Sequence, residues 1–179
     1  LAPPGVDRIF LHDPGANHTF SYEDLDFDAV GRAQLFHFGY PPAMRRMYLS
    51  QGAELLKIFR KVRSLGVMTS LDMVAVDETS EAAQTDWPEL LRELMPSVDF
   101  FLPSAEELCF LLDRSRHAQW VARAKQQGVQ DVTEVITRAD IEPLAQTLID
   151  WGAKAVLIKC GAPGLYLRTG SGDTLSRLG

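Results

Sequence analysis

Ala155-Val156-Leu157-Ile158-Lys159-Cys160-Gly161-Ala162-Pro163-Gly164-Leu165-Tyr166-Leu167 is the stretch on which the fold turns. Its first four residues are apolar without alternation, which is the pattern of a strand covered on both faces, as in a parallel sheet. The run stops at a cluster of turn formers, Gly161, Pro163 and Gly164, and a second apolar run restarts at Leu165.

The same design recurs toward the amino terminus. Leu35–Phe38 is closed by Gly39-Tyr40-Pro41-Pro42, residues 67–71 are closed by Asp72, and residues 100–102 are closed by Pro103. All are read as buried parallel strands. Residues 7–12 read as a further strand ending in the turn cluster Asp13-Pro14-Gly15-Ala16-Asn17. Between the strands lie stripes at helical spacing: Leu55, Leu56, Phe59 and Val62; Trp87, Leu90, Leu91, Leu94 and Met95; Ile141, Leu144, Ala145, Leu148 and Ile149. Asp86 and Asp140 are the expected N-caps, and Gly66, Gly128 and Gly152 the expected stops. Residues 118–127 predict one more helix, with a weaker apolar face. Strand and helix in alternation predict an α/β fold, a doubly wound, mostly parallel sheet with helices on both faces.

Ligands of such sheets sit beyond the carboxyl ends of the strands, which directs attention to Asn17, Gly39, Asp72, residues 104–107 and residues 161–164. Each has two readings. Gly161 and Gly164 let a ligand approach the main chain and cluster amides around a phosphate, or they simply make a hairpin turn. The segment is no P-loop, since it lacks the GK[ST] ending and runs into a strand. Ser104-Ala105-Glu106-Glu107 is a complete capping box, or places an acidic side chain beside a hydrated magnesium ion. Asp72 faces a substrate hydroxyl or a metal's waters, or forms a turn. Arg45 and Arg46 are adjacent, and neighbours on a helix point in different directions, so together they make a poor phosphate clamp.

Composition narrows the field. With 179 residues, 46% hydrophobic content and a net charge of −6, the chain can bury one substantial core and offers no basic surface for a nucleic-acid backbone. No run approaches the roughly 18 apolar residues of a membrane span. Cys109 and Cys160 lie far apart in apolar segments, as expected of reduced core residues in a cytoplasmic protein. The four histidines show no metal-ligand spacing and no neighbouring nucleophile motif, so no catalytic role is assigned to them. No Gly-x-Gly-x-x-Gly follows an early strand, which disfavours a dinucleotide-dependent oxidoreductase. The chain starts at Leu1 and reaches a Gly/Ser tract at Gly170-Ser171-Gly172, so it is expected to be an internal piece of a longer protein.

Taken in order, Gly15-Ala16-Asn17, the strand ending in Asp72, Leu102-Pro103-Ser104-Ala105-Glu106-Glu107 and Ile158-Lys159-Cys160-Gly161-Ala162-Pro163-Gly164 resemble the PfkB, or ribokinase-like, carbohydrate kinases. The likeness covers nearly the whole chain, and the last motif is the most closely matched. The resemblance implies ATP-dependent phosphorylation of a sugar or sugar-acid hydroxyl, with ATP and Mg2+ as cofactors. A non-catalytic nucleotide- or sugar-binding module of the same fold is the alternative. Lys159, Gly161, Ala162 and Gly164 would line the nucleotide site, and Asn17, Gly39 and Asp72 the substrate site. Glu107 would end the family's Asn-x-x-Glu motif and act on the metal through water, with Ser104 standing where the family has asparagine. Residues 1–20 would be the end of the lid and its loop, and residues 21–179 an incomplete α/β core. The family's catalytic Gly-Ala-Gly-Asp loop has only a letter match here, Thr169-Gly170-Ser171-Gly172-Asp173. It follows the glycine turn too closely, so Asp173 is a candidate base or part of a hairpin tip, and no residue is assigned the chemistry. The chain as given is expected to be inactive. The partners implied are ATP and a small sugar, without nucleic acid or membrane, and a homodimer is compatible.

Overall fold

The structure is a computed structural model, and it describes residues 13–172. The expected strand at residues 7–12 and the candidate Asp173 lie outside the described residues, as does most of the proposed lid segment 1–20. The remainder of that segment, from Asp13, holds a 310 turn, Gly15–His18.

Five strands form one sheet in the order of the sequence: β1 Leu35–Phe38, β2 Met68–Leu71, β3 Phe100–Phe101, β4 Ala155–Lys159 and β5 Leu165–Thr169. The first four run parallel, and β5 returns antiparallel to β4. Loop length explains the switch: parallel neighbours need long crossovers, whereas the few residues between β4 and β5 suffice only for a hairpin. This mostly parallel sheet with its helices is the α/β architecture expected from the alternation of runs.

After the single turn α1, Phe27–Val30, the helices are α2 Arg45–Ser64, α3 Trp87–Leu94, α4 Ala105–Leu112, α5 Arg114–Gln127 and α6 Arg138–Asp150. The stripes predicted from spacing are the faces they bury. Leu55, Phe59 and Val62 of α2, Trp87, Leu90, Leu91 and Leu94 of α3, and Ile141, Leu144, Ala145 and Leu148 of α6 all belong to the core. Phe59 stands edge-on to Phe36 and Phe38, at 6.0 and 6.1 Å between ring centroids, and so fixes α2 over β1. α2, α3, α4 and α6 then pack against one another in succession.

Four details depart from the sequence-based expectations. Leu35–Phe38 is an edge strand rather than a buried one, and Leu35 is 46% exposed. Helix α5 begins at Arg114, four residues early, because the Asp113 carboxylate accepts from the Arg116 amide and caps it there. Asp140 is not the N-cap of α6. Thr137 is, and Asp140, three residues on, reaches back to accept from the Thr137 amide and hydroxyl, both at 2.8 Å. Finally, α2 is broken at residues 49–52, where Ser50, Gln51 and Gly52 all carry positive φ. Gly52 is required there twice over, since a Cβ in this left-handed conformation would lie 2.2 Å from Leu90 Cδ1.

The amino-terminal edge of the sheet is tied by a buried carboxylate and the buried ammonium it pairs with. Asp99, 1% exposed, pairs with Arg63 at 2.8 Å and with Lys154, and accepts from the Thr69 amide at 2.8 Å. The carboxylate thus joins the end of α2 to the entries of β2, β3 and β4.

Candidate functional site

The carboxyl edge brings together residues from four strand ends. Asp72 follows β2, and its Oδ1 accepts from the Met73 amide at 2.8 Å and from Lys159 Nζ at 2.7 Å. Lys159 is the last residue of β4, so this ion pair spans the end of β3 that lies between them. Lys159 also bridges to Ser104 in parallel register and donates its amide to Pro103 O at 2.9 Å, which seats the start of α4 directly beside it. Gly39, after β1, completes the row, since a Cβ built on it would touch Asp72 Cβ at 3.6 Å.

Ser104 and Glu107 make the capping box in full. Ser104 Oγ accepts from the Glu107 amide at 3.2 Å, and Glu107 Oε2 accepts from the Ser104 amide at 2.7 Å. Burial raises the Glu107 carboxyl above its ordinary range, against the lowering pull of the Ser104 amide and of the Lys159 charge. The nearby Asp72 charge adds to the rise, so Asp72, Glu107 and Lys159 share one electrostatic field. Beside Glu107 opens a cleft of about 320 Å3, lined by Val76, Ser104, Glu107, Phe110 and His117.

The glycine turn is the tip of the β4–β5 hairpin. Gly164 donates its amide to Gly161 O at 3.0 Å, and Pro163 has none to give, so Gly161 and Ala162 hold the amides left for a ligand. Gly161 also has a packing reason to be glycine. Its φ is +63°, and a Cβ there would fall 2.6 Å from Thr133 Oγ1.

Two candidates stand apart from this cluster. Asn17 sits in the 310 turn Gly15–His18 against α2 and takes part in none of the hydrogen bonds or ion pairs that join the rim residues. Arg45 is occupied by a two-point ion pair with Glu81, at 2.7 and 2.8 Å, while Arg46 is exposed. Sequence reasoning missed four contributors: Asp131 and Thr133, which pack on the Gly161 turn, and Phe110 with His117, which wall the cleft. Asp131-Val132-Thr133 carries a legible cap signal, since Asp131 Oδ1 accepts from the Thr133 amide at 2.8 Å, but nothing in it forecasts the neighbour it meets. Cys109 and Cys160 are both buried and unpaired, and burial foremost pushes the Cys109 thiol up to about 12, away from any nucleophilic use at neutral pH.

No family model matches the chain. An uncharacterized sugar kinase from Archaeoglobus fulgidus is 20% identical over 164 residues, covering 92% of this chain and 51% of its own. Among solved structures, a PfkB protein from Polaromonas sp. superposes with a TM-score of 0.52 at 22% identity, over 85% of this chain and 42% of that one. A fructokinase with bound ATP from Xylella fastidiosa gives a TM-score of 0.53 at 17% identity, over 85% of this chain and 39% of that one. The chain spans about half the length of the curated relative and about two fifths of these solved chains. In fold the chain is ribokinase-like, and its similarity is to part of a PfkB carbohydrate kinase.

Proposed function

We propose that the intact protein transfers a phosphoryl group from ATP to a hydroxyl of a sugar or sugar acid, and that residues 21–179 supply part of its nucleotide- and substrate-binding core. The observation that carries this is the meeting of Gly39, Asp72, Ser104, Glu107 and Lys159 at one edge of a ribokinase-like sheet, with the Gly161 turn immediately beyond. Phosphoryl transfer asks a protein mainly for positioning and for charge opposite the phosphates. In this reading Lys159 and the amides of Gly161 and Ala162 face the nucleotide, while Gly39 and Asp72 face the acceptor. Asn17 takes part as a substrate contact only if ligand binding draws its turn toward the rim.

Magnesium would enter with the nucleotide. Among the described residues no three His, Cys, Asp or Glu side chains converge to hold a metal by themselves. Glu107 and Asp72 suit contact through the ion's water shell, and the ion itself would neutralise phosphate charge. The 179-residue chain is inactive in this reading, because Asp173 follows the glycine turn too closely in sequence to match the family's catalytic loop.

A second reading, a nucleotide- or sugar-binding module without turnover, is favoured by one feature. Ser104 holds the asparagine position of the Asn-x-x-Glu motif, and both it and Glu107 are committed to the cap. A chain extended at both ends, assayed with ATP and Mg2+ against a panel of sugars and sugar acids, decides between the two. Turnover of at least one sugar is the expected result. Nucleotide binding without turnover of any sugar supports the module, and neither binding nor turnover removes both.

A further inference from the structure

We propose that the Lys159–Asp72 ion pair is a latch that an oligophosphate ligand must open, Lys159 being handed from the Asp72 carboxylate to the ligand. This rests on the reading of the rim as a nucleotide site and adds a competition within it. The two partners are held unequally. Asp72 is 18% exposed, and its Oδ1 also accepts from the Met73 amide at 2.8 Å, so the carboxylate keeps its place when the lysine leaves. Lys159 is 45% exposed and ends a flexible four-carbon stem on the last residue of β4. The lysine is therefore the group that moves.

Its alternative position is close by. Lys159 lies two residues before Gly161 and in register with Ser104, so an anion resting on the free amides of Gly161 and Ala162 meets the same ammonium. While Asp72 holds it, that charge is neutralised, and Asp72, Glu107 and Lys159 together offer an incoming anion no free cation. The ligand class is a chain of linked phosphates, either that of a nucleoside triphosphate or an inorganic one.

Calorimetric titration of the 179-residue chain with ATP, tripolyphosphate and adenosine tests this. Removing the competing charge with Asp72→Asn, which preserves shape and the contact to Met73, is expected to tighten both anions about three- to tenfold at low salt and leave adenosine unchanged. Lys159→Gln weakens both, and in that background Asp72→Asn has no further effect. If the tightening persists without Lys159, Asp72 merely repels the anion and the latch is overturned, as it is if Asp72→Asn changes nothing. Should Asp72→Asn fail to fold by circular dichroism, Asp72→Ser takes its place in the same cycle. The nucleotide reading is judged separately. The full cycle with tripolyphosphate, but ATP no tighter and adenosine silent, keeps the latch and removes the nucleotide. ATP binding untouched by Asp72→Asn does the reverse, and no binding by any ligand removes both.

Discussion

Ser104 carries two roles that a single substitution can separate. As the N-cap of α4 it satisfies the Glu107 amide, and in the proposed kinase reading it takes the place of the motif's asparagine. Serine and asparagine are nearly equal caps, whereas alanine leaves the amide unsatisfied. Ser104→Ala is expected to cost about 1 kcal/mol in urea denaturation, and Ser104→Asn to stay within about 0.5 kcal/mol of the parent. If the proposed kinase reading holds, Ser104→Asn in the extended chain also keeps or raises Mg2+-dependent turnover. A Ser104→Asn variant as unstable as Ser104→Ala would show that more than the cap depends on the hydroxyl. At this scale the cap was legible from Ser-x-x-Glu spacing. The pairing of Lys159 with Asp72 was not, because 87 residues separate them and only the parallel register of β2, β3 and β4 brings their ends together.

Element boundaries depend on which side chain reaches a backbone amide first. Asp86 caps α3 as its sequence predicts, with Asp86 Oδ1 accepting from the Glu89 amide at 3.1 Å. For α6 the hydroxyl of Thr137 takes the N-cap and Asp140 becomes its reciprocal partner. The consequence is titratable. Burial alone would raise the Asp140 carboxyl, but the Arg123 guanidinium and the Thr137 amide and hydroxyl outweigh it and hold the pKa at about 2. A carboxyl depressed by folding contributes stability above its unfolded pKa, near 3.8, and loses it as pH falls toward about 2. Wild-type stability should therefore fall between about pH 4 and pH 2, and Asp140→Asn should flatten that limb while lowering stability at neutral pH. Chemical denaturation across pH measures both, and a parallel pair of curves would show that Asp140 contributes nothing to the acid limb. The break in α2 belongs to this scale too: its amphipathic stripe runs on from Leu55, and only the contact of Gly52 with Leu90 reveals why the helix is interrupted before it.

For the molecule as a whole, the two faces of the sheet differ. Tyr166 and Arg168 of β5 turn toward α6, where Arg168 pairs with Glu142 at 3.0 Å, so Leu165 and Leu167 turn the other way and are 58% and 57% exposed. Leu35 on the opposite edge strand faces the same way, since Phe36 and Phe38 meet Phe59 of α2. Exposed apolar side chains grouped on one face of a sheet promote association. The 179-residue chain is expected to associate as its concentration rises in light scattering, and Leu165→Gln with Leu167→Gln to shift it toward the monomer without loss of fold. A monodisperse wild-type monomer at high concentration would show that the leucines are harmless. What the amino-acid sequence determined by itself is the local order of things: short, largely apolar runs made strands, three-and-four spacing made helices, and glycine, proline and capping residues ended them, because each effect acts over a few neighbouring residues. What only the tertiary structure decided is which strand ends share an edge, that Lys159 is held by Asp72, that Gly161 is glycine because Thr133 presses on it, and that Leu35–Phe38 lies at the margin of the sheet. Those facts follow from the lateral order and register of the strands, which short-range periodicity does not encode.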